Sequence, residues 1–184
     1  MKILILIFLG FLMAQAGFGN RVTAQYGNAI GYYPIEDLLP EDAVSTADEV
    51  IVHKRLMQIV ANTLREHSPK IAKLIDDISL IHLYKIKATD ENRDAVLANL
   101  DAQASKLFDS GWEALAEVRE GHEETIMYAR YIEEDIEGLL LIHIEKKELQ
   151  CINIAGKIDL ENLGRIGGAL DIPGLENIDF EDNG

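Results

Sequence analysis

The chain contains very little cysteine: Cys151 is the only one among 184 residues. A single cysteine excludes an internal disulfide. Cys151 lies in an apolar, strand-like run, 149–154, where a free thiol usually serves as a small buried side chain. We therefore interpret it as a structural residue rather than a nucleophile.

Basic residues are also scarce. The chain has 17 Lys and Arg against 32 Asp and Glu, a formal net charge of −15. A surface this negative repels nucleic acids and anionic lipid headgroups. We therefore expect no nucleic-acid partner, whereas a basic partner or divalent cations would be electrostatically favoured.

Long apolar runs are confined to the first residues. Lys2 precedes the apolar run Ile3–Met13, and Val22-Thr23-Ala24 places small residues at the −3 and −1 positions of a cleavage site. This pattern predicts a signal peptide over residues 1–24. The alternative is a membrane anchor, but the run is shorter than the roughly 20 residues that a spanning helix needs. We expect an exported protein, periplasmic or extracellular, with no membrane span after cleavage.

Nucleotide-binding and catalytic motifs are missing from the sequence. It contains no Gly-x-Gly-x-x-Gly, no phosphate-binding loop, no Gly-x-Ser-x-Gly and no His-Glu-x-x-His. We therefore predict no catalytic residues, cofactor or metal from motifs.

The remaining chain divides into three regions by composition. Residues 25–47 carry prolines, glycines and acids without a clear period, which predicts a poorly ordered acidic lead-in. Residues 48–170 have the periodic apolar pattern of one domain. Residues 171–184 form an acidic tail, in which Asp179, Glu181, Asp182 and Asn183 are weak candidates for binding calcium.

The periodic region predicts helices first and strands afterwards. Val50–Val52 begins a strand that leads into a helix, Ser68 and Pro69 begin a second helix, and 78–87 is a strand. Thr89 can cap a helix over 90–108, whose apolar stripe runs from Val96 to Phe108. Further strands are predicted at 112–119, 125–132, 138–145 and 148–155, and a short helix follows Asp159. The fold class is therefore α+β, an antiparallel meander with helices packed on one face.

One predicted strand does not fit a sheet with an open face. Leu139, Leu140, Leu141 and Ile142 are apolar on both sides of the strand, so the strand is central or its second face is covered. The N-terminal segment or the tail could fold over that face, or a partner surface could bind there.

Histidines and carboxylates are the candidates for site chemistry. His82 and His143 lie in predicted strands and could meet across the sheet with a carboxylate to form a site. His122-Glu123-Glu124 suits a metal, but a hairpin tip normally keeps such side chains solvated. Four acids between two strands, Glu133, Glu134, Asp135 and Glu137, could act as general acid and base only if buried in a cleft.

Four parts of the chain, taken in order, resemble a known family. They are the Val50–Val52 strand, the helix-to-strand passage Leu74–Ile81, the strand Trp112–Val118 and the closing Ile154–Leu160. Together with the apparent signal peptide, they resemble the domain of unknown function 4252 family of small exported bacterial proteins, over residues 48–170. The resemblance implies the fold and export, but it implies no catalytic residues.

These observations favour an exported, non-enzymatic module that binds another envelope protein or takes part in an envelope assembly. The alternative is a metal- or small-ligand-binding domain, or an unrecognised hydrolase, that uses His82, His143 or the acids from Glu133 to Glu137.

Overall fold

The computed structural model describes Tyr26 and residues 29–159. The predicted signal peptide, the helix predicted after Asp159 and the acidic tail lie outside the described residues. Within the described part, no helix is both long enough and apolar enough to span a bilayer.

The elements follow the predicted order along the chain. A 3₁₀ turn and four helices are present: the 3₁₀ turn Ile35–Leu38, α1 Glu41–Val44, α2 Lys54–Leu64, α3 Pro69–Asp77 and α4 Asp90–Asp109. The strands are β1 Asp48–His53, β2 Ile78–Lys87, β3 Trp112–Glu120, β4 Glu123–Ile132, β5 Asp135–Ile144 and β6 Glu148–Ile158. Every strand predicted from the sequence is confirmed.

The six strands form a single antiparallel sheet in the order β1-β2-β6-β5-β4-β3. The meander β3 to β6 and the α+β class are therefore confirmed. β6 and β5 are the central strands, and they carry the most continuous burial. This position explains the uninterrupted apolar run of β5, because a strand covered on both faces needs apolar residues at every position.

Helices cover both faces of the sheet, where the sequence predicted helices on one. α2 and α3 bury Met57 and Ile75 in a cluster with Leu139 and Leu141. On the opposite face, α4 and the 3₁₀ turn pack in a second cluster that contains Leu140. Neither face is therefore open at the centre of the sheet.

The N-terminal segment, residues 29–47, corrects the prediction of a poorly ordered lead-in. Its 3₁₀ turn places Ile35 and Leu38 fully in the core. The amide of Asn99 on α4 donates to the carbonyl of Leu38 at 3.0 Å. Of the explanations for the two-sided β5 strand, the structure supports cover by the N-terminal segment together with α4. The apolar residues of this segment show no period, because the segment crosses the sheet only once and is neither a long helix nor a strand, whose buried positions recur at a fixed spacing.

Two glycines allow this segment to cross the sheet. Gly31 has φ +78°, and a Cβ built on it would lie 1.6 Å from the carbonyl oxygen of Glu137. A Cβ on Gly138 would lie 2.6 Å from the Cα of Gly31. The backbones therefore touch directly, and a side chain at either position would separate them.

The helix ends agree with the sequence in part. The Thr89 hydroxyl accepts a hydrogen bond from the Asn92 N–H, as predicted for the cap of α4. Ser68 precedes Pro69 at the start of α3 but makes no side-chain cap bond. Phe108, predicted in the buried stripe of α4, is instead 72% exposed.

Candidate functional site

The two strand histidines, which the sequence left open as partners in one site, do not meet in the structure. β6 lies between β2, which carries His82, and β5, which carries His143. His82 is paired with Asn153 and His143 with Gln150, at different levels of β6. Because neighbouring residues in a strand point to opposite faces, the two imidazoles lie on opposite sides of the sheet.

His82 belongs to a buried network beneath the N-terminal segment. Glu49 Oε1 accepts hydrogen bonds from His82 Nε2 and from the Tyr84 hydroxyl, both at 2.9 Å. Burial, followed by the bond to Glu49, raises the pKa of Tyr84. The ring of Tyr32 stacks on His82 at 6.4 Å. Fully buried and sandwiched in this way, His82 holds β1 and the N-terminal segment against β2.

His143 lies in a chain of hydrogen bonds on the α2–α3 face. Its Nδ1 is 2.9 Å from the Thr125 hydroxyl, and its Nε2 is 3.1 Å from Glu145 Oε1. A carboxylate can only accept, so Nε2 donates to Glu145, and in the neutral imidazole Nδ1 then accepts from the Thr125 hydroxyl. This is the order of hydroxyl, imidazole and carboxylate that activates a nucleophile.

Glu124 corrects the prediction of a wholly solvated His122-Glu123-Glu124 hairpin tip. His122 and Glu123 are exposed, but Glu124 is only 2% exposed. Its carboxylate accepts hydrogen bonds from the guanidiniums of Arg93, at 2.5 Å, and Arg119. Burial favours a raised pKa, but the bonds and charges of Arg119 and Arg93 outweigh it, so the pKa of Glu124 is lowered.

The remaining acids do not form a cleft. Glu133, Glu134 and Asp135 are exposed in the β4–β5 turn, and Asp135 pairs with Lys157 at 2.6 Å. This is the environment of solvated surface acids rather than of an acid–base pair. No three His, Cys, Asp or Glu side chains in the described part of the chain could together hold a metal ion. The candidate calcium residues, Asp179 to Asn183, lie outside the described residues.

Cys151 is fully buried in the face covered by α4. Burial raises the pKa of its thiol to about 12. The group is therefore a neutral, unreactive thiol at neutral pH, in the structural role inferred from the sequence.

A surface depression of about 750 Å³ lies where α1, β2 and the β5–β6 turn meet. Lys85, Lys87 and Lys147 line it together with Asp42, Asp48 and Glu148. Charges of both signs alternate here, and Lys85 already pairs with Glu148 at 2.9 Å. The depression therefore presents no charge pattern that selects one ligand.

A different feature stands out at the opposite end of the sheet. Four residues there, which we call the Arg130 corner, are Ile30, Phe108, Arg130 and Ile132. Ile30, Phe108 and Ile132 are 55%, 72% and 38% exposed, and Arg130 is half-buried. The corner therefore combines exposed apolar side chains with a cation.

Backbone contacts bring these residues to one place. Arg130 is paired with Gly138, which touches Gly31, the neighbour of Ile30. The Gly111 carbonyl, three residues after Phe108, accepts from the N–H of Tyr131 at 3.0 Å. These backbone contacts bring residues that are distant in the sequence to the same end of the sheet, so no local sequence pattern indicates them.

Comparison with known proteins identifies the family of the chain but no activity, ligand or partner. No curated protein and no solved structure matches the chain. The sequence profile of one family matches residues 42–166, which covers every strand of the sheet and α1 to α4 apart from the first residue of α1. The chain therefore belongs to the family described as Domain of unknown function (DUF4252).

Proposed function

We propose that the chain is an exported, non-enzymatic module that binds another protein of the cell envelope. The Arg130 corner carries this proposal. Aromatic and arginine side chains are enriched in protein interfaces, where arginine is among the residues that most often supply binding energy and apolar neighbours exclude water around them. The apolar run Ile3–Met13, followed by Val22-Thr23-Ala24, supports export.

Two properties of the chain support this class of function. The centre of the sheet is covered on both faces by helices and by the N-terminal segment, so a partner would bind at the periphery. The net charge of −15 disfavours nucleic acids and anionic membranes as partners.

Export and binding are tested separately. Mass spectrometry of the protein from the cell envelope should give the mass of a chain that begins at Gln25. For binding, a photo-crosslinking amino acid replaces Phe108 in one variant and His122, exposed at the far end of the sheet, in a control. We expect a discrete crosslinked partner from position 108 only. Equal crosslinking from both positions would refute the corner as a docking surface.

A hydrolase is a second candidate, favoured by the chain of Thr125, His143 and Glu145. In this reaction the Thr125 hydroxyl would attack a carbonyl carbon while its proton passes to His143 Nδ1, and Glu145 would hold the imidazole. The imidazolium would then return that proton to the leaving group as its bond to the carbonyl carbon breaks, and water would hydrolyse the acyl ester on Thr125. The test is covalent labelling by a fluorescent β-lactone. Labelling should be lost in Thr125→Val and His143→Ala but kept in Thr63→Val, which changes an exposed helix residue. Labelling that persists in Thr125→Val would exclude this mechanism.

A further inference from the structure

Arg130 forms no ion pair with any residue that the structure describes. Its Nε is buried and has no hydrogen-bond partner, and no carboxylate among the described residues forms an ion pair with its guanidinium. By contrast, Arg65, Arg93 and Arg119 each pair with a carboxylate. Arg55 is also unpaired, but it is exposed, so water satisfies it. Among the arginines that the structure describes, Arg130 is the half-buried one without an ion pair.

This arrangement is costly for an isolated molecule. A guanidinium offers five N–H donors and cannot lose its proton, and a partly buried charge is destabilising unless it is paired. The chain carries 32 acidic residues, yet none of those described forms an ion pair with Arg130. A ligand carboxylate that accepts from the terminal Nη groups, which are not among the buried unpaired atoms, would pair this charge.

The surroundings of Arg130 restrict the form of that acceptor. Trp112 is paired opposite Arg130 on one side, and Gly138, which has no side chain, on the other. Ile132 follows two residues later, on the same face of β4. The residues paired with Arg130 on the neighbouring strands are thus an aromatic residue and a glycine, neither of them charged, which favours a binding partner that is apolar around its charge.

The net charge restricts the partner further. A polyanion such as a nucleic acid or an anionic membrane would be repelled by a chain of net charge −15. A single carboxylate within an apolar peptide segment is repelled far less, and its two oxygens match the fork of the guanidinium. A peptide carboxylate therefore fits both the local and the overall electrostatics.

We propose that Arg130 binds a carboxylate of a partner protein, carried by a segment whose flanking side chains are apolar and contact Ile30, Phe108 and Ile132. This inference rests on the proposed function, and it assigns the chemistry of the partner and the residue that selects it. The apolar residues supply contact area, and Arg130 supplies specificity, because an uncharged segment would leave the guanidinium unpaired.

The experiment selects peptides from a random display library on the immobilised chain and measures their affinities by fluorescence anisotropy. We expect the selected peptides to share one Asp or Glu between apolar residues. Arg130→Gln should weaken their binding at least tenfold, whereas Arg55→Gln, the same change at an exposed arginine, should leave it unaltered. Changing the Asp or Glu of the peptide to Asn or Gln should weaken binding to the native chain by a similar factor. The same peptide change should have little effect on binding to the Arg130→Gln variant.

This peptide change tests the contact without altering the fold, so the result stands even if Arg130→Gln is unstable. If the selected peptides lack an acid, yet bind Phe108→Ser more weakly than the native chain, the proposal of a carboxylate ligand would be wrong. The proposal that the Arg130 corner is a docking surface would still hold. Peptides insensitive to both Arg130→Gln and Phe108→Ser would overturn both proposals. If binding appeared only after deletion of residues 171–184, the occupant would be the chain's own acidic tail, and the partner inference would be wrong.

Discussion

Asn153 provides a quantitative test of how the N-terminal segment is held. Its amide Nδ2 donates to the carbonyls of Gly31 and Leu139, each at 3.0 Å, and its Oδ1 accepts from the N–H of Tyr33 at 3.1 Å. The side chain is fully buried. The Asn153 side chain therefore joins the N-terminal segment to the centre of the sheet through hydrogen bonds that are shielded from solvent.

The substitution Asn153→Leu keeps the shape of the side chain and removes every hydrogen bond. It leaves the buried Gly31 carbonyl and the part-buried Tyr33 N–H without these partners, at about 1–3 kcal/mol for each group. We therefore expect the free energy of unfolding to fall by about 2–6 kcal/mol. That is a large part of the roughly 5–15 kcal/mol that stabilises a typical domain.

The assay is urea unfolding followed by tryptophan fluorescence. Trp112 is the only tryptophan, and its ring meets that of Tyr33 edge-on at 5.9 Å, so it reports on the N-terminal segment. Asn62→Leu, the same change at an exposed position of α2, should alter stability by less than about 0.5 kcal/mol. A loss below about 1 kcal/mol in Asn153→Leu would refute the anchoring role.

Three further substitutions test other contacts. Gly138→Ala should cost about 1–3 kcal/mol or more by urea unfolding, because its Cβ would meet the Gly31 backbone. Gly121→Ala, where no atom lies within 4 Å, should cost only the strain of its positive φ, and equal losses would contradict the steric argument. Glu124 has a lowered folded-state pKa, so its stabilisation is present above roughly pH 4.3, the ordinary pKa of Glu, and is lost as pH falls through the folded value. Glu124→Gln should therefore be less stable than the native chain at pH 7, and the difference in unfolding free energy should shrink towards pH 3. A difference that stays constant with pH would argue against stabilisation by the ionised Glu124 carboxylate. Thr89→Ala should lower stability by about 1 kcal/mol through loss of the α4 cap, and no loss in thermal unfolding would show that the cap bond contributes nothing.

Local pattern was sufficient to predict the order of elements. A high content of β-branched and aromatic residues predicted β2, and Thr89 placed the start of α4 at the observed residue, because these features depend on neighbours within a few positions. The stripe on α4 was less reliable. It correctly included Val96 and Leu107 but also Phe108, since periodicity does not show how far the neighbouring element extends over a helix.

Pairing between distant strands was not predictable in the same way. The sequence shows that His82 and His143 lie in strands, but the insertion of β6 between β2 and β5 depends on the whole sheet. Similarly, Glu124 belongs to a local hairpin, yet its burial depends on Arg93, which arrives from α4. A carboxylate at a hairpin tip is solvated by default, and only a contact from another element changes that.

The sequence by itself determined the α+β class, the meander, the excess of negative charge and the two-sided burial of β5, because each follows from composition or short-range period. Only the tertiary structure decided what covers the second face, which histidine has which neighbours, and that Arg130 lies at the same end of the sheet as Ile30, Phe108 and Ile132. Those arrangements depend on long-range packing of backbones, such as Gly31 on Gly138. That packing depends on how whole helices, strands and segments fit together, so it produces no periodic pattern in the sequence.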